Sequence, residues 1–270
     1  MEISPASARM FAGILEQRTG QLLPPAEQGR LEVALDTLVR AHGFGSADAV
    51  AAAVAGGRDP ALSDAVIEAL LNGETSFFRD PECFAQLSDI VVPRVMAARP
   101  DRALRIWSAG CSTGQEAYSV AMALAENAEL DGWQVDIVAT DVSRGAIEQA
   151  RAGRYAEFEV GRGLSPDRAA AWLVRDGDAW RVRAALRDSV RFHTLSLLDT
   201  APLPGTFDII LCRNVLSRFA NDVRRRAVQR LARAIAPDGF VMLGAGETMA
   251  GSAAFVAEAG FQRPVPASQG

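Results

Sequence analysis

Asp141 and the small-residue run Gly110-Cys111-Ser112-Thr113-Gly114 are the residues whose types and spacing point most directly to chemistry. An apolar stretch around Leu104, Ile106 and Trp107 runs into this glycine turn, and a helix opens at Gln115-Glu116. Small residues at a strand-to-helix turn let the backbone approach a ligand closely. A second apolar stretch, Val135–Thr140, ends in Asp141. Strand, glycine turn, helix, strand and terminal acid make half of a nucleotide-binding βαβ unit, with the acid where a ribose offers two hydroxyls. The glycines lack the G-x-G-x-x-G spacing of a dinucleotide site, so NAD is disfavoured. The plainer reading, that Gly110 and Gly114 only permit a tight turn, loses ground to the placement of Asp141.

Two further segments offer polar groups. The apolar run Phe207–Cys212 ends in Arg213-Asn214. Ligands of open α/β sheets bind beyond the carboxyl ends of the strands, so this pair is a site candidate. Asn214 both donates and accepts, while Arg213 has the alternative of pairing with an acid structurally. The segment Glu74-Thr75-Ser76-Phe77-Phe78-Arg79-Asp80-Pro81 joins a hydroxyl, two aromatics and a cation where a cleft between two domains is expected. Phe77 and Phe78 read either as an aromatic wall or as core.

Composition narrows the chemistry. The 270 residues carry a net charge of −5, which argues against a nucleic-acid binder, since that needs a basic footprint. Every basic residue other than the two histidines is Arg, so Schiff-base and Lys-base chemistry are excluded. The three cysteines, Cys83, Cys111 and Cys212, are widely spaced. They fit reduced thiols in a cytoplasmic protein without a metal site. His42 and His193 stand beside no nucleophile motif. No signal sequence or membrane span is legible.

The elements that must position these residues fall into two patterns. Residues 7 to about 71 repeat apolar positions near helical spacing and predict about four helices. From about 104, strands are expected at 104–109, 135–140, 190–194, 207–212 and 239–244. Helices are expected at 115–127, 144–151 and 221–235, the last opened by Asn221 as N-cap. This order predicts an α/β fold, a doubly wound and mostly parallel Rossmann-like sheet, with an N-terminal all-helical domain. The expected boundaries are 1–72 for the helical domain, 73–103 for a linker and cleft segment, and 104–270 for the sheet domain. An inserted subdomain is placed at 153–189, with a helix over 164–173 and a short strand at Trp180–Arg183. Its Arg and aromatic residues read as a solvated face or as a docking surface.

Taken together, ETSFFRDP, RIWSAGCSTGQEAYSVAM, DVSRGAIEQARAGRY, FEVGRGL, LCRNVL and APDGFVMLGAGET resemble the chemotaxis-receptor methyltransferases of the CheR type. The resemblance covers nearly the whole chain in the right order. It implies S-adenosyl-L-methionine as cofactor and methylation of receptor glutamates to γ-methyl esters. By position it assigns Thr75, Arg79, Glu116, Asp141, Arg213 and Asn214 to the cofactor site, beside Gly110 of the turn. Ser196 and Leu197 fall at the adenine contact, where Ser196 replaces a usual Asn. Arg79 is also implied in turnover. Arg218 stands where the family has a Tyr lining the reaction site, so with Arg79 it is expected among the catalytic residues, drawing in the acceptor carboxylate. The exchange also leaves open a second reading, a weakly catalytic cofactor-binding regulator of a receptor-like array. The short insertion resembles the branch that does not depend on a receptor peptide tether. The implied partner is the cytoplasmic helical domain of a chemoreceptor, met by a monomer without nucleic acid or membrane insertion.

Overall fold

The computed structural model describes residues 3–24, 27–57, 59–200, 205–249, 252–258 and 260–265. The chain divides into two compact units, one of Met1–Asn72 with Arg218–Val223, the other of Gly73–Ser217 with Arg224–Gly270.

Among the described residues the first unit holds four helices, α1 (Pro5–Thr19), α2 (Gln28–His42), α3 (Ala47–Ala55) and α4 (Pro60–Leu70). Their starts are written in the sequence. Ser4, Ser46 and Asp59 each accept a backbone N–H of the first turn, and Pro5 and Pro60 occupy positions where no intrahelical donor is needed. Gly20 and Gly43 end α1 and α2 in the left-handed conformation. Phe11, Leu15, Leu31, Leu35, Val50, Leu62, Val66 and Leu70 form the core of this unit.

The second unit is built on a seven-stranded sheet. Its strands are β1 (Ala103–Ala109), β2 (Gln134–Asp141), β6 (Val190–Thr194), β7 (Phe207–Cys212), β8 (Ile235–Leu243), β9 (Phe255–Glu258) and β10 (Phe261–Pro264). The spatial order is β6-β2-β1-β7-β8-β10-β9. The first five are parallel, and β10 and β9 add an antiparallel edge. The chain leaves the central β1 toward β2 and β6, then returns to β7 on the other side. That reversal between β1 and β7 is the topological switch point at which such sheets bind ligands. The helices α7 (Gln115–Ala125), α8 (Arg144–Ala152) and α12 (Asn221–Ala234) follow β1, β2 and β7.

Three parts depart from the sequence expectation. The stretch expected as a linker forms α5 (Pro81–Gln86) and α6 (Val92–Ala98), joined through a π turn at Leu87–Val91. Phe84, Leu87, Val91, Val92 and Val95 pack in the core of the second unit. The β9–β10 hairpin also lies beyond the expected strands. The insertion contains more than one strand: β3 (Arg154–Ala156), β4 (Leu173–Asp176) and β5 (Ala179–Val182) make a separate antiparallel sheet of order β3-β5-β4. The helices α9 (Glu157–Gly161), α10 (Pro166–Trp172) and α11 (Ala184–Arg187) accompany it. What is short is the β4–β5 connection, where Asp176 pairs with Ala179 across Gly177 at φ +66°. Many insertion arginines are ion-paired, Arg154 and Arg181 with Asp176, Arg175 with Glu157 and Arg168 with Glu126.

Candidate cofactor site

Backbone strain marks the site within the second unit. Five described non-glycine residues have positive φ, and four of them, Phe78, Asp80, Ser112 and Asn214, lie in the three segments singled out above. Such conformations cost of order 1–3 kcal/mol each and persist only where their surroundings enforce them.

The β1–α7 turn is enforced by β2. Gly110 N–H and Cys111 N–H both donate to the Thr140 carbonyl, at 2.8 and 2.9 Å. Ser112 N–H donates to Asp141 Oδ2 at 2.8 Å, and Ser143 N–H donates to Asp141 Oδ1 at 2.9 Å. Gly110 sits at φ +85°, and a Cβ there would collide with Val215 Cγ2. Asp141 is half-buried at the carboxyl end of β2. A carboxylate offers about four lone-pair sites, so it can accept hydroxyl donors beside these two amides. As an acceptor at this strand end, the carboxylate fits the two donors of a ribose diol.

Arg213 is the hub of the segment after β7. Its side chain is 2 % exposed. It donates to Asp80 Oδ2 at 2.7 Å, to the Arg79 carbonyl at 2.6 Å and to Glu116 Oε2 at 3.1 Å. Glu116 also accepts from Ser108 Oγ at 2.8 Å. Burial raises the Glu116 carboxyl above the ordinary value, against the pull of Arg213 and Ser108. Arg213 and Glu116 therefore form a buried ion pair, in which Arg213 Nε alone of the guanidinium nitrogens has no hydrogen-bond partner. The pair ties the Arg79–Asp80 backbone to the first turn of α7.

Asn214 is held by a residue that the sequence reading does not single out. Glu247 Oε2 accepts from Asn214 N–H at 2.6 Å and Gly244 N–H at 3.0 Å, while Oε1 accepts from Ser217 N–H at 3.0 Å. The one sequence signal is an acid in the Gly-Ala-Gly-Glu-Thr turn that follows β8. Thr75 and Arg79 are half-buried, and Arg79 donates to the Glu74 carbonyl at 3.0 Å. Phe77 and Phe78 are 0 % and 7 % exposed, so the core reading holds for both and the aromatic-wall expectation is corrected. Ser196 follows β6; its Oγ accepts from Leu198 N–H at 3.1 Å and its N–H donates to Asp199 at 2.8 Å, with Leu197 buried beside it.

No buried thiol or phenol here is poised as a base. Burial pushes the Cys83 thiol up to about 11 and raises Cys111, Cys212, Tyr118 and Tyr155 as well. His42 and His193 are exposed. Among the described residues no group of three His, Cys, Asp or Glu side chains could hold a metal, and no helix is long and apolar enough to cross a membrane.

The model of the CheR methyltransferase SAM-binding domain matches residues 73–262. The chain belongs to the CheR methyltransferase family. It is an S-adenosylmethionine-dependent methyltransferase. The chemotaxis protein methyltransferase 1 of Pseudomonas aeruginosa is 35 % identical over 254 residues, covering 92 % of this chain and 92 % of the relative. The chemotaxis protein methyltransferase of Vibrio parahaemolyticus is 35 % identical over 253 residues, covering 92 % and 91 %. The probable biofilm formation methyltransferase WspC of P. aeruginosa is 35 % identical over 190 residues, covering 70 % of this chain and 44 % of that protein.

Arg218 is grouped with the helical unit. Its guanidinium donates to Glu27 Oε1 at 2.7 Å, and its carbonyl accepts from Leu22 N–H. Burial raises the Glu27 carboxyl, but Arg218 and Arg30 outweigh it and leave the group lowered. A carboxyl lowered on folding stabilises the native state above its unfolded pKa, and that stability is lost as pH falls through the folded value. The melting temperature of the wild type should therefore exceed that of Glu27→Gln at pH 7, and the gap should close below about pH 4. Thermal unfolding at both pH values checks this, and a gap independent of pH would remove the ion pair as its cause.

Proposed function

We propose that this methyltransferase esterifies glutamate side chains on the cytoplasmic helical domain of chemoreceptors in sensory adaptation. The observation that carries the reading is that the second unit has a ribose-type acid, Asp141, beside strained cofactor-type loops and, among the described residues, no thiol or phenol poised as a base. An acceptor that is already an anion needs none. A glutamate has a reference pKa of about 4.3, so it is ionised at neutral pH. When bound, S-adenosylmethionine supplies the electrophilic methyl group. Transfer of that methyl to a carboxylate oxygen would give a methyl ester and leave S-adenosylhomocysteine, with no proton for a residue of this chain to move. The work left to the protein is alignment and exclusion of water.

Roles follow from chemistry and family position. Asp141 holds the ribose hydroxyls, and Ser196 and Leu197 meet the adenine. Gly110 admits the cofactor to the backbone. Thr75 and Asn214 contact its amino-acid part, whose shape is kept by the Glu116–Arg213 pair. Arg79 orients the acceptor carboxylate. Arg218 is engaged with Glu27, so we assign its guanidinium to the structure of the helical unit rather than to the methyl-transfer step. This argues that exchange of the family Tyr does not place a free cation against the acceptor. The resemblance to WspC supports a second reading, in which the receptor array serves an output other than motility.

The test is transfer of labelled methyl groups from cofactor to membranes of the native host, followed by release as methanol in base. Base-stable label would overturn the ester assignment. Arg79→Ala should fold normally, because its side chain is only half-buried, and lose roughly a hundredfold in turnover through misalignment. Arg79→Lys should recover only part of that, because an ammonium lacks the planar fork of donors. Normal turnover by Arg79→Ala would exclude the orienting role.

A further inference from the structure

The inserted subdomain touches both edges of the cofactor site, and one of its contacts involves a residue with no side chain. Gly163 follows α9 in the Phe158-Glu159-Val160-Gly161-Arg162-Gly163-Leu164 run. A Cβ on Gly163 would overlap the Phe77 carbonyl oxygen and stand 2.9 Å from its carbon. The obstacle is backbone, which cannot rotate aside as the end of a long side chain can. Gly161, two residues earlier, has nothing within 4 Å of the corresponding position. The two glycines of one motif therefore answer different needs. Gly161 lies in open space, whereas Gly163 is required by close approach.

Other contacts point the same way. The Tyr155 ring, 1 % exposed on β3, meets Phe77 edge-on at 5.0 Å. Its hydroxyl donates to the Thr113 carbonyl in the glycine turn at 2.6 Å. Arg168 of α10 lies over the Phe78 ring at 4.0 Å. Gln115, opening α7, donates to Glu159 Oε1 at 3.3 Å, while the other Glu159 oxygen accepts from Ala156 N–H. Arg162 reaches Glu74 at 2.6 Å, though that pair is more than half exposed and so weak. Phe78 is strained at φ +47°, and strained backbone needs outside support.

We infer that the inserted subdomain is a brace that sets the Thr75–Arg79 segment against the glycine turn, with Gly163 and Tyr155 as positioning residues for the cofactor. The inference rests on the cofactor-site reading above. Neither residue touches reacting atoms; each acts through Phe77 or Thr113.

Gly163 does not lie at positive φ, so alanine is strained there only by Phe77. Gly163→Ala should displace the Phe77 carbonyl and the residues around it. Binding of S-adenosylhomocysteine should weaken by about tenfold, and methyl transfer by roughly a hundredfold, the scale of a misplacement near 1 Å. Gly161→Ala should match the wild type in both. Calorimetry separates affinity from stoichiometry, so partial unfolding lowers the binding-competent fraction while a positioning defect raises Kd. If Gly163→Ala does not fold, Tyr155→Phe keeps the ring against Phe77 and removes only the bond to Thr113. It should raise Kd severalfold at unchanged stoichiometry. Wild-type Kd in folded Gly163→Ala, or in Tyr155→Phe where Gly163→Ala does not fold, overturns the brace. Failure of the wild type to bind S-adenosylhomocysteine overturns the cofactor reading itself, and the brace with it.

Discussion

Arg213→Met should destabilise the protein by about 3–5 kcal/mol, because it leaves a buried acid without its counter-charge. Arg213 is 2 % exposed and Glu116 12 % exposed, and the Arg213 guanidinium is hydrogen-bonded to that carboxylate, with Arg79 a lesser positive influence on it. The melting temperature should fall by roughly 10 °C for a unit of this size. The loss has a pH signature. Burial raises the Glu116 carboxyl even with Arg213 present. A carboxyl raised on folding makes the native state bind the extra proton, so its ionisation penalty grows as pH rises through the folded value. Without Arg213 the penalty grows further, and the stability gap between variant and wild type should narrow as pH is lowered from 8 to about 5.5. Adding Glu116→Gln should recover part of the loss at neutral pH. Denaturant unfolding of the wild type, Arg213→Met and the double variant at both pH values decides it. A gap that does not change with pH, or no recovery in the double variant, would mean that the cost arises from Asp80 and the Arg79 carbonyl instead.

Asp141→Ala should weaken cofactor binding by about ten- to a hundredfold, through loss of charge-assisted hydrogen bonds worth roughly 1.5–3 kcal/mol. The effect has two sources. The ribose hydroxyls lose their acceptor, and Ser112 N–H loses the carboxylate that holds it at φ +49°. Asp141→Asn keeps one carbonyl oxygen and should fall between the two proteins. Calorimetry with S-adenosylhomocysteine measures all three, with circular dichroism to establish folding. Unchanged affinity in folded Asp141→Ala would withdraw the ribose assignment.

The pattern of the sheet was legible because buried parallel strands are continuous apolar runs. Phe207–Cys212 is buried at every position, and the chemistry begins at the first polar residues after it. Helix starts were legible for a related reason, since Ser, Asp and Pro satisfy or remove the orphan amides of a first turn. The 81–98 helix was less legible. Its helical apolar spacing begins after Pro81, is interrupted by Pro93, and follows a segment rich in site candidates. The β9–β10 hairpin is short, so its periodicity is weak.

By itself the sequence determined the α/β class, the carboxyl edge at which Gly110, Asp141 and Asn214 stand, the absence of lysine chemistry, and the family. Those depend on residue type and on spacing along the chain. The tertiary structure alone decided partnership. It turned Arg213 and Glu116 into a buried ion pair, buried Phe77 and Phe78, and paired Arg218 with Glu27. It also set Glu247 under the Asn214 backbone and pressed Gly163 against a carbonyl 86 residues earlier. The physical reason is that a charge or a glycine has no fixed meaning in one dimension. Whether an Arg serves a ligand or a neighbouring acid depends on which groups lose water beside it. That is settled only when distant segments pack.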